Sequence, residues 1–582
     1  MLDFMFNRKN VKAYTFSRVI LALLISCIYI STVYCTCGMW FETNDDVYLS
    51  EIMSGKITGN PEFHCTFLNP IVSLPISLLY RATTVIPWWG VFIFIILCLV
   101  VFSISFSMLF VSGNFSRMLI GLTLLLGNYL LSIYIICQSQ FTSAAMLLAF
   151  CGYVILLCMN QSKAAYVLFL LFELLSCAVR YESMVIAQPI CFLFLASFLY
   201  QKNADSSHKW QKTLKEALKY GISLIVIMGV IFGVSFVAFR DEELREFKNS
   251  DYVLEYFDDY QNSIPYERLE SILSEYNISE DEYEHYMKYR YLYPDKKFTN
   301  ECFKELLPVL KEIRSKEDID FNLCEAVFQL LFTSKQFWHF HQLTLLLFLL
   351  VLVLGIILHK RNWLHPIVAT FLGYLVGIVA LALRNRFVFR VMIPYYLGTC
   401  ILLSVILLLM LSGEKECKEE INIRFGVVCS FLIVYVIAAV CVGKSFFSYG
   451  RRQNSVVNNH CFSEMNEIMD YCNSHKEWCF LLDMDYARYV STPVFESNYY
   501  QKANYCYSGS WFSKTPSINE YAADYLDKNE IYCMVYEAQE WRGLEGLHFY
   551  ASEYESELTL VERFVLSTGA TMWVYRIDNN LK

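Results

Sequence analysis

Eleven stretches of this chain are apolar for long enough to cross a bilayer, at approximately 16–37, 88–111, 117–137, 139–159, 163–180, 183–201, 219–239, 341–358, 365–383, 390–412 and 423–444. That feature constrains every other part of the fold. A spanning helix needs about 20 mostly apolar residues, because the hydrocarbon core is about 30 Å thick and a helix rises about 1.5 Å per residue. Water is absent there, so the backbone must satisfy its own hydrogen bonds and each stretch must be helical. The composition, 56% hydrophobic and 18% charged with 45 Phe and 41 Tyr, fits a multi-pass α-helical membrane protein.

Orientation is read from the short loops, since Lys and Arg are retained in the cytoplasm. Arg8, Lys9 and Lys12 precede the first stretch and Arg18 lies at its start, which predicts a cytoplasmic N-terminus. Alternation then puts Arg117, Lys163, the lysine-rich 202–219 loop, Lys360–Arg361 and the 415–424 loop on the same side. The first stretch is of span length and ends in "CTCGMWFE" without a convincing small-residue cleavage site, so it reads as a retained helix.

This topology predicts four regions. Residues 1–239 form an N-terminal membrane region with an outer loop at 38–87; 240–338 are an extracytoplasmic helical insertion; 339–444 are further membrane helices; 445–582 are an extracytoplasmic domain. The apolar run 67–87 carries Pro70, Pro75 and Arg81 and reads as a helix lying at the interface. The insertion holds 23 acidic against 13 basic residues, which disfavours nucleic acid as a partner. In the tail, "SEMNEIMDYCNSHKEWCFLLDM" reads as helix then strand, "DKNEIYCMVYEA" as a strand and "LTLVERFVLSTGATMWVYRI" as two, predicting a small α/β domain. Most of the 21 cysteines lie in apolar stretches, where a thiol behaves as a small apolar side chain, and no CxxC pair points to zinc.

Polar groups in or beside spans are costly and therefore informative. They gather at helix ends expected on the outer side: Asp45, Asp46 and His64 in the first loop, Gln138, Gln140 and Thr142 in "CQSQFTS", Arg180 and Glu182 in "CAVRYESM", and Arg384, Arg386 and Arg390 in "LALRNRFVFRVMIP". Guanidinium groups bind phosphate through forked, charge-assisted hydrogen bonds. Adjacent carboxylates raise one another's proton affinity, so one of Asp45 and Asp46 can accept a proton while the other orients the substrate or binds a metal. His64 can bind phosphate or shuttle a proton.

Plainer readings stand beside these. Asn44 or Asp45 can cap the helix in "DVYLSEIMSG", and arginines can snorkel to lipid headgroups. Gln140 and Thr142 can be helix caps. Glu173, seven residues before Arg180, reads as a buried structural partner, and the run Trp338 to His341 as an interfacial aromatic belt.

In "TNDDVYLSEIMSG", "RYES" and "RNRFVFRVMIP", and in the order of its parts, the chain resembles the GT-C superfamily of integral-membrane glycosyltransferases, here a bacterial multi-pass member. The resemblance implies a polyprenyl-phosphate-linked sugar as donor, transfer on the extracytoplasmic face, and a glycan, lipid or protein of the cell envelope as acceptor. It implies an Asp of the first outer loop as general base, mapped to Asp45 ahead of Asp46, and phosphate-binding cations mapped to the Arg390 region. It makes no cofactor certain beyond the donor as substrate; a divalent metal on Asp45 and Asp46 is left open, because no strong second-loop Asp motif stands beyond "FDDY" at Asp258–Asp259. Two alternatives share these features: a polysaccharide polymerase or ligase using a lipid-linked oligosaccharide, and a transporter or flippase for a lipid-linked substrate.

Overall fold

A computed structural model describes residues 11–203, 206–248, 253, 264–289, 297–320, 338–383, 388–412, 418–456, 462–483, 492–496, 504–508, 515–518, 520–521, 530–536, 557–567 and 569–578. Asp258–Asp259 and residues 321–332, part of the expected helical insertion, lie outside these residues. The chain divides into two compact units, each assembled from three separate pieces.

The first unit takes residues 1–40, 92–233 and 322–453, and its described residues are largely helical. Among the described residues, ten helices are long and apolar enough to cross a membrane. The helices are α1 (Val11–Cys37), α4 (Trp88–Val111), α5 (Phe115–Cys137), α6 (Phe141–Cys158), α7 (Lys163–Lys202), α8 (Lys209–Ala238), α11 (Trp338–Ile357), α12 (Leu364–Leu383), α13 (Phe389–Leu411) and α14 (Lys418–Val456). Helices α6 and α13 are buried along their whole apolar windows, whereas α1 and α8 are mostly exposed. The exposed side chains of α8, including Ile225, Phe232 and Phe236, are the apolar surface that a helix presents to lipid. Helix α7 packs on α6 and α12, and α13 on α6 and α11.

The sequence separates 163–180 from 183–201, but the structure joins them in α7, 40 residues long, with Arg180 in an extended conformation inside it (φ −157°, ψ 100°). A straight helix of that length would measure about 60 Å. Instead Gln188 Nε2 donates to Glu173 Oε2 at 3.0 Å across fifteen residues of chain. Along an unbroken helix those residues would be about 22 Å apart. The two halves therefore double back at Arg180 and present two apolar segments.

The second unit takes residues 41–91, 234–321 and 454–582. Its first piece carries helices α2 (Asn44–Ser54) and α3 (Pro70–Ala82). Asn69 caps α3 by accepting from the Ile71 N–H at 3.1 Å, and Pro70 occupies the first turn, where no intrahelical donor is lost. Thirteen residues span about 20 Å, too short to cross a bilayer. Val72, Ile76 and Tyr80 are buried while Ile71, Leu74 and Leu78 stay exposed, so α3 carries an apolar stripe along one side. The middle piece has α9 (Glu280–Tyr289) and α10 (Asn300–Asp320), and the stretch 266–276 is three short helical turns rather than one helix.

The last piece begins with α15 (Phe462–Ser474) and forms a five-stranded mixed sheet from β1 (Phe480–Asp483), β2 (Tyr505–Ser508), β3 (Glu530–Tyr536), β4 (Glu557–Val565) and β5 (Thr571–Asp578). The strand order is β2-β1-β3-β5-β4. Strand β1 runs parallel to β2 and β3, while β5 is antiparallel to β3 and β4. The parallel edge strand β2 adds to the strands expected from the tail. This piece packs on the first: Phe41 N–H donates to the Thr492 carbonyl at 3.0 Å, and a Cβ on Gly90 would stand 1.7 Å from the Val494 carbonyl oxygen. Only glycine admits that approach.

Candidate functional site

The acid pair opens α2. Thr43 holds the N-cap position with extended backbone and no side-chain capping bond, so Asn44 and Asp45, either of which the sequence leaves open as the cap, are instead the first two helical residues. Asp45 and Asp46 occupy the first turn, where the helix dipole favours negative charge. Their surroundings differ. Asp46 is fully buried and its Oδ1 accepts from the indole Nε1 of Trp89 at 3.2 Å. The backbone N–H of Trp89 donates to Tyr80 Oη at 3.1 Å, and Tyr80 Oη lies 3.2 Å from Ser50 Oγ, so Asp46 belongs to a network joining α2, α3 and the start of α4. Asp45 is half-buried. Of the two carboxyls, it is the one with surface that a substrate can reach.

His64 follows in the loop after α2. Its Nδ1 lies 2.6 Å from Glu62 Oε1, and the same oxygen accepts from the N–H groups of Phe63 at 2.7 Å and His64 at 3.0 Å. The ring lies tilted against Phe63, centroids 3.9 Å apart, and meets Phe239 edge-on at 5.5 Å. Ser73 Oγ donates to the Phe63 carbonyl at 2.6 Å and Arg81 Nη2 to the Pro61 carbonyl at 3.2 Å, which pins the loop to α3. Burial alone would raise the Glu62 pKa, but the bonds from His64 and Phe63 outweigh it and hold the carboxyl below its ordinary value. A carboxylate on Nδ1 fixes the tautomer that leaves Nε2 as the proton acceptor.

At the other end of α2, Lys56 Nζ lies 3.0 Å from the buried Glu51 Oε1. Burial opposes the lysine charge, but Tyr505, Glu51 and Glu496 outweigh it and the pKa lies above the ordinary lysine value. Tyr505, on β2, is itself pushed above the ordinary phenol range by burial and is neutral at physiological pH. The attraction that keeps Lys56 charged there comes from the two carboxylates.

The remaining residues belong to the first unit and meet at the N-terminus of α6. Gln140 is its N-cap, with Oε1 accepting from Thr142 N–H at 2.6 Å and Ser143 N–H at 3.2 Å. The Arg180 guanidinium lies over the Phe141 ring, 5.8 Å from its centroid, and Arg180 Nε pairs with Glu182 Oε2 at 2.9 Å. Ser143 Oγ donates to the Arg390 carbonyl at 2.9 Å. Gln140, Arg180, Glu182 and Arg390 thus share one helix terminus. Arg384 and Arg386 lie outside the described residues. The Arg180 guanidinium at a helix N-terminus, with the positive end of the helix and a buried amide, is an arrangement of the kind that binds anions; for Arg390 it is the backbone carbonyl that meets this terminus.

Glu173 is fully buried, and its bond to Gln188 is extended by Tyr153 Oη donating to Gln188 Oε1 at 2.6 Å. His341 is buried too, with Nδ1 2.6 Å from Tyr374 Oη. Among the described residues no group of three or more His, Cys, Asp or Glu is placed to hold a metal ion.

Sequence reasoning passed over Glu62, Trp89 and the Glu51–Lys56 pair. The spacing in "PEFHC" is the signal that could have found the first, since a carboxylate two residues before a histidine reaches Nδ1 when the intervening backbone turns. No family model matches the chain, and no curated protein compared with it matches.

Proposed function

We propose that the chain is a GT-C-like membrane glycosyltransferase that moves a sugar from a polyprenyl-phosphate donor to a cell-envelope acceptor. In this reading Asp45 is the general base toward the acceptor hydroxyl, and Asp46 holds α2 in place through Trp89. Arg180, with Arg390 near the same helix terminus, neutralises the phosphate that leaves. The transfer breaks the bond between the sugar and the donor phosphate and forms one to the acceptor oxygen, whose proton passes to the carboxylate.

One observation carries the reading most of the way. The pieces 41–91, 234–321 and 454–582 gather into one compact unit, which supports a reading in which all three lie on the same side of a membrane. Between the first and second pieces lie α4, α5, α6, α7 and α8, an odd number of helices. The count becomes even only because α7 doubles back at Arg180. Between the second and third lie α11 to α14, which is already even. With the basic N-terminal segment cytoplasmic, this unit and its half-exposed Asp45 face the extracytoplasmic side, where lipid-linked sugar donors are used.

The test is complementation of a deletion strain. Glycan analysis of its envelope should show a missing sugar or branch, restored by wild-type protein and not by equally expressed Asp45→Asn. Restoration by Asp45→Asn at the wild-type rate would exclude the proposed base. Shortened or unattached chains in place of a missing branch would point to a polymerase or ligase. Movement of substrate between liposome leaflets without a new glycosidic bond would point to a flippase.

A further inference from the structure

Cys37 ends α1 and Cys137 ends α5, and α1 packs on α5. Cys37 Sγ donates to the Phe447 carbonyl on α14 at 3.8 Å. Both cysteines are buried. A Cβ on Gly450 of α14 would stand 3.2 Å from each sulfur and 3.0 Å from Cys37 Cβ, so the two thiols face one point at a junction of three helices. Two thiols on separate helices that each lie 3.2 Å from one point are close neighbours, as the pairing of two cysteines requires.

We infer that Cys37 and Cys137 form a disulfide that ties the end of α1 to the end of α5. The inference rests on the proposed orientation, which puts both helix ends on the extracytoplasmic side, where disulfides persist. The oxidant is a disulfide of an oxidised thiol–disulfide exchange protein or small molecule in that compartment. The Cys37 thiolate attacks one of its sulfurs and expels a thiolate, giving a mixed disulfide. Cys137 then attacks Cys37 Sγ and expels the second thiolate. Two chain thiols are oxidised, one external disulfide is reduced to two thiols, and the two protons pass to the leaving sulfurs. Exchange takes place before the junction closes, since both sulfurs are buried in the folded bundle. The link fixes the α1 terminus eight positions before Asp45, and it gives the pair a role that apolar packing alone does not require.

The full-length protein is isolated from membranes without reductant, in the presence of a thiol-blocking maleimide, and its peptides are mapped by mass spectrometry. The expected result is a linked Cys37–Cys137 peptide pair that separates on reduction and persists in Cys35→Ser. Maleimide on both residues, or a link from Cys35 to Cys137, overturns the inference. Mapping the wild-type protein keeps the test valid if Cys137→Ser fails to fold. Labelling a cysteine introduced at Ser279 from outside intact cells reads the orientation independently. Outside labelling with both thiols blocked refutes the pairing, whereas no outside labelling refutes the orientation.

Discussion

The indole of Trp89 donates to Asp46 Oδ1 at 3.2 Å, with both side chains fully buried, and this sets Asp46 apart from its neighbour Asp45. The bond links the first turn of α2 to the first turn of α4, and losing it leaves a buried indole N–H without that acceptor. Such a loss costs about 1–3 kcal/mol. Asp46→Ala should therefore lower the thermal midpoint of the detergent-solubilised protein. Asp45→Asn should leave the midpoint nearly unchanged and remove transfer, if Asp45 is the base. A fluorescence melt of the two variants beside the envelope-glycan readout checks both halves. Equal destabilisation by the two substitutions would erase the distinction.

Gly55 closes α2 in the left-handed region, at φ +70°, with its N–H reaching the Glu51 and Ile52 carbonyls. A Cβ there would lie 2.4 Å from the Asn60 carbonyl carbon and 2.5 Å from Pro61 N. Backbone strain alone costs about 1–2 kcal/mol for a residue with a Cβ, and the contact adds to it because backbone atoms must move. Gly55→Ala should cost more than about 1 kcal/mol. Gly569, also at positive φ, has nothing within 4 Å of its would-be Cβ and gives the strain-only reference. If Gly55→Ala destabilises no more than Gly569→Ala, the packing of 58–61 on the end of α2 is not as described.

Glu62 is held below its ordinary value of 4.5 by bonds from His64 and Phe63 that outweigh burial. A carboxyl with a depressed folded-state pKa stabilises the fold above its unfolded-state pKa, and that contribution is lost as pH falls through the folded value. The loss falls below about pH 4.5. Glu62→Gln should flatten the dependence of the thermal midpoint on pH in that range. It should also release the His64 tautomer, read as a change in the ring nitrogen shifts in NMR of protein labelled on histidine. A histidine spectrum unchanged by Glu62→Gln would mean that the carboxylate does not set the tautomer.

Much of the architecture is legible in the sequence because the bilayer imposes one requirement, a long apolar helix, that a hydropathy reading detects directly. Helices α4, α6, α12 and α13 begin and end close to their expected bounds for that reason. The break at Arg180 is legible as a polar interruption in "CAVRYESM", but its form is not, because one extended residue inside a helix has no periodicity of its own. The short parallel strand β2 escaped for the opposite reason. "YCYS" lies in a polar, Tyr-rich stretch without alternation, and its pairing with β1 decides its structure. In the candidate site, the acids and cations stand out because charge beside a span is costly. That Asp46 serves Trp89 while Asp45 keeps exposed surface depends on packing across forty-three residues, which no local pattern encodes.

The fold-back of α7 rests on Gln188, which donates to Glu173 and accepts from Tyr153 Oη. These three side chains tie both halves of α7 to α6, and bonds of this kind within helix bundles contribute about 0.6 kcal/mol each, reaching about 1.7. Gln188→Leu removes both bonds at once and leaves the buried Glu173 and Tyr153 without them. It should cost about 1–3 kcal/mol in a reversible unfolding measurement in mixed micelles. Glu173→Gln keeps an acceptor for Gln188 Nε2 and should cost less than about 1 kcal/mol, whereas Glu173→Leu should approach the cost of Gln188→Leu. In the double variant Glu173→Leu, Gln188→Leu the effects should be less than additive, because the second substitution removes a group already stripped of its partner. Additive costs would show that the two residues do not meet. The fold-back of α7 would then rest on the extended backbone of Arg180 alone, and the same-side placement proposed for pieces 41–91 and 234–321 would lose its main support.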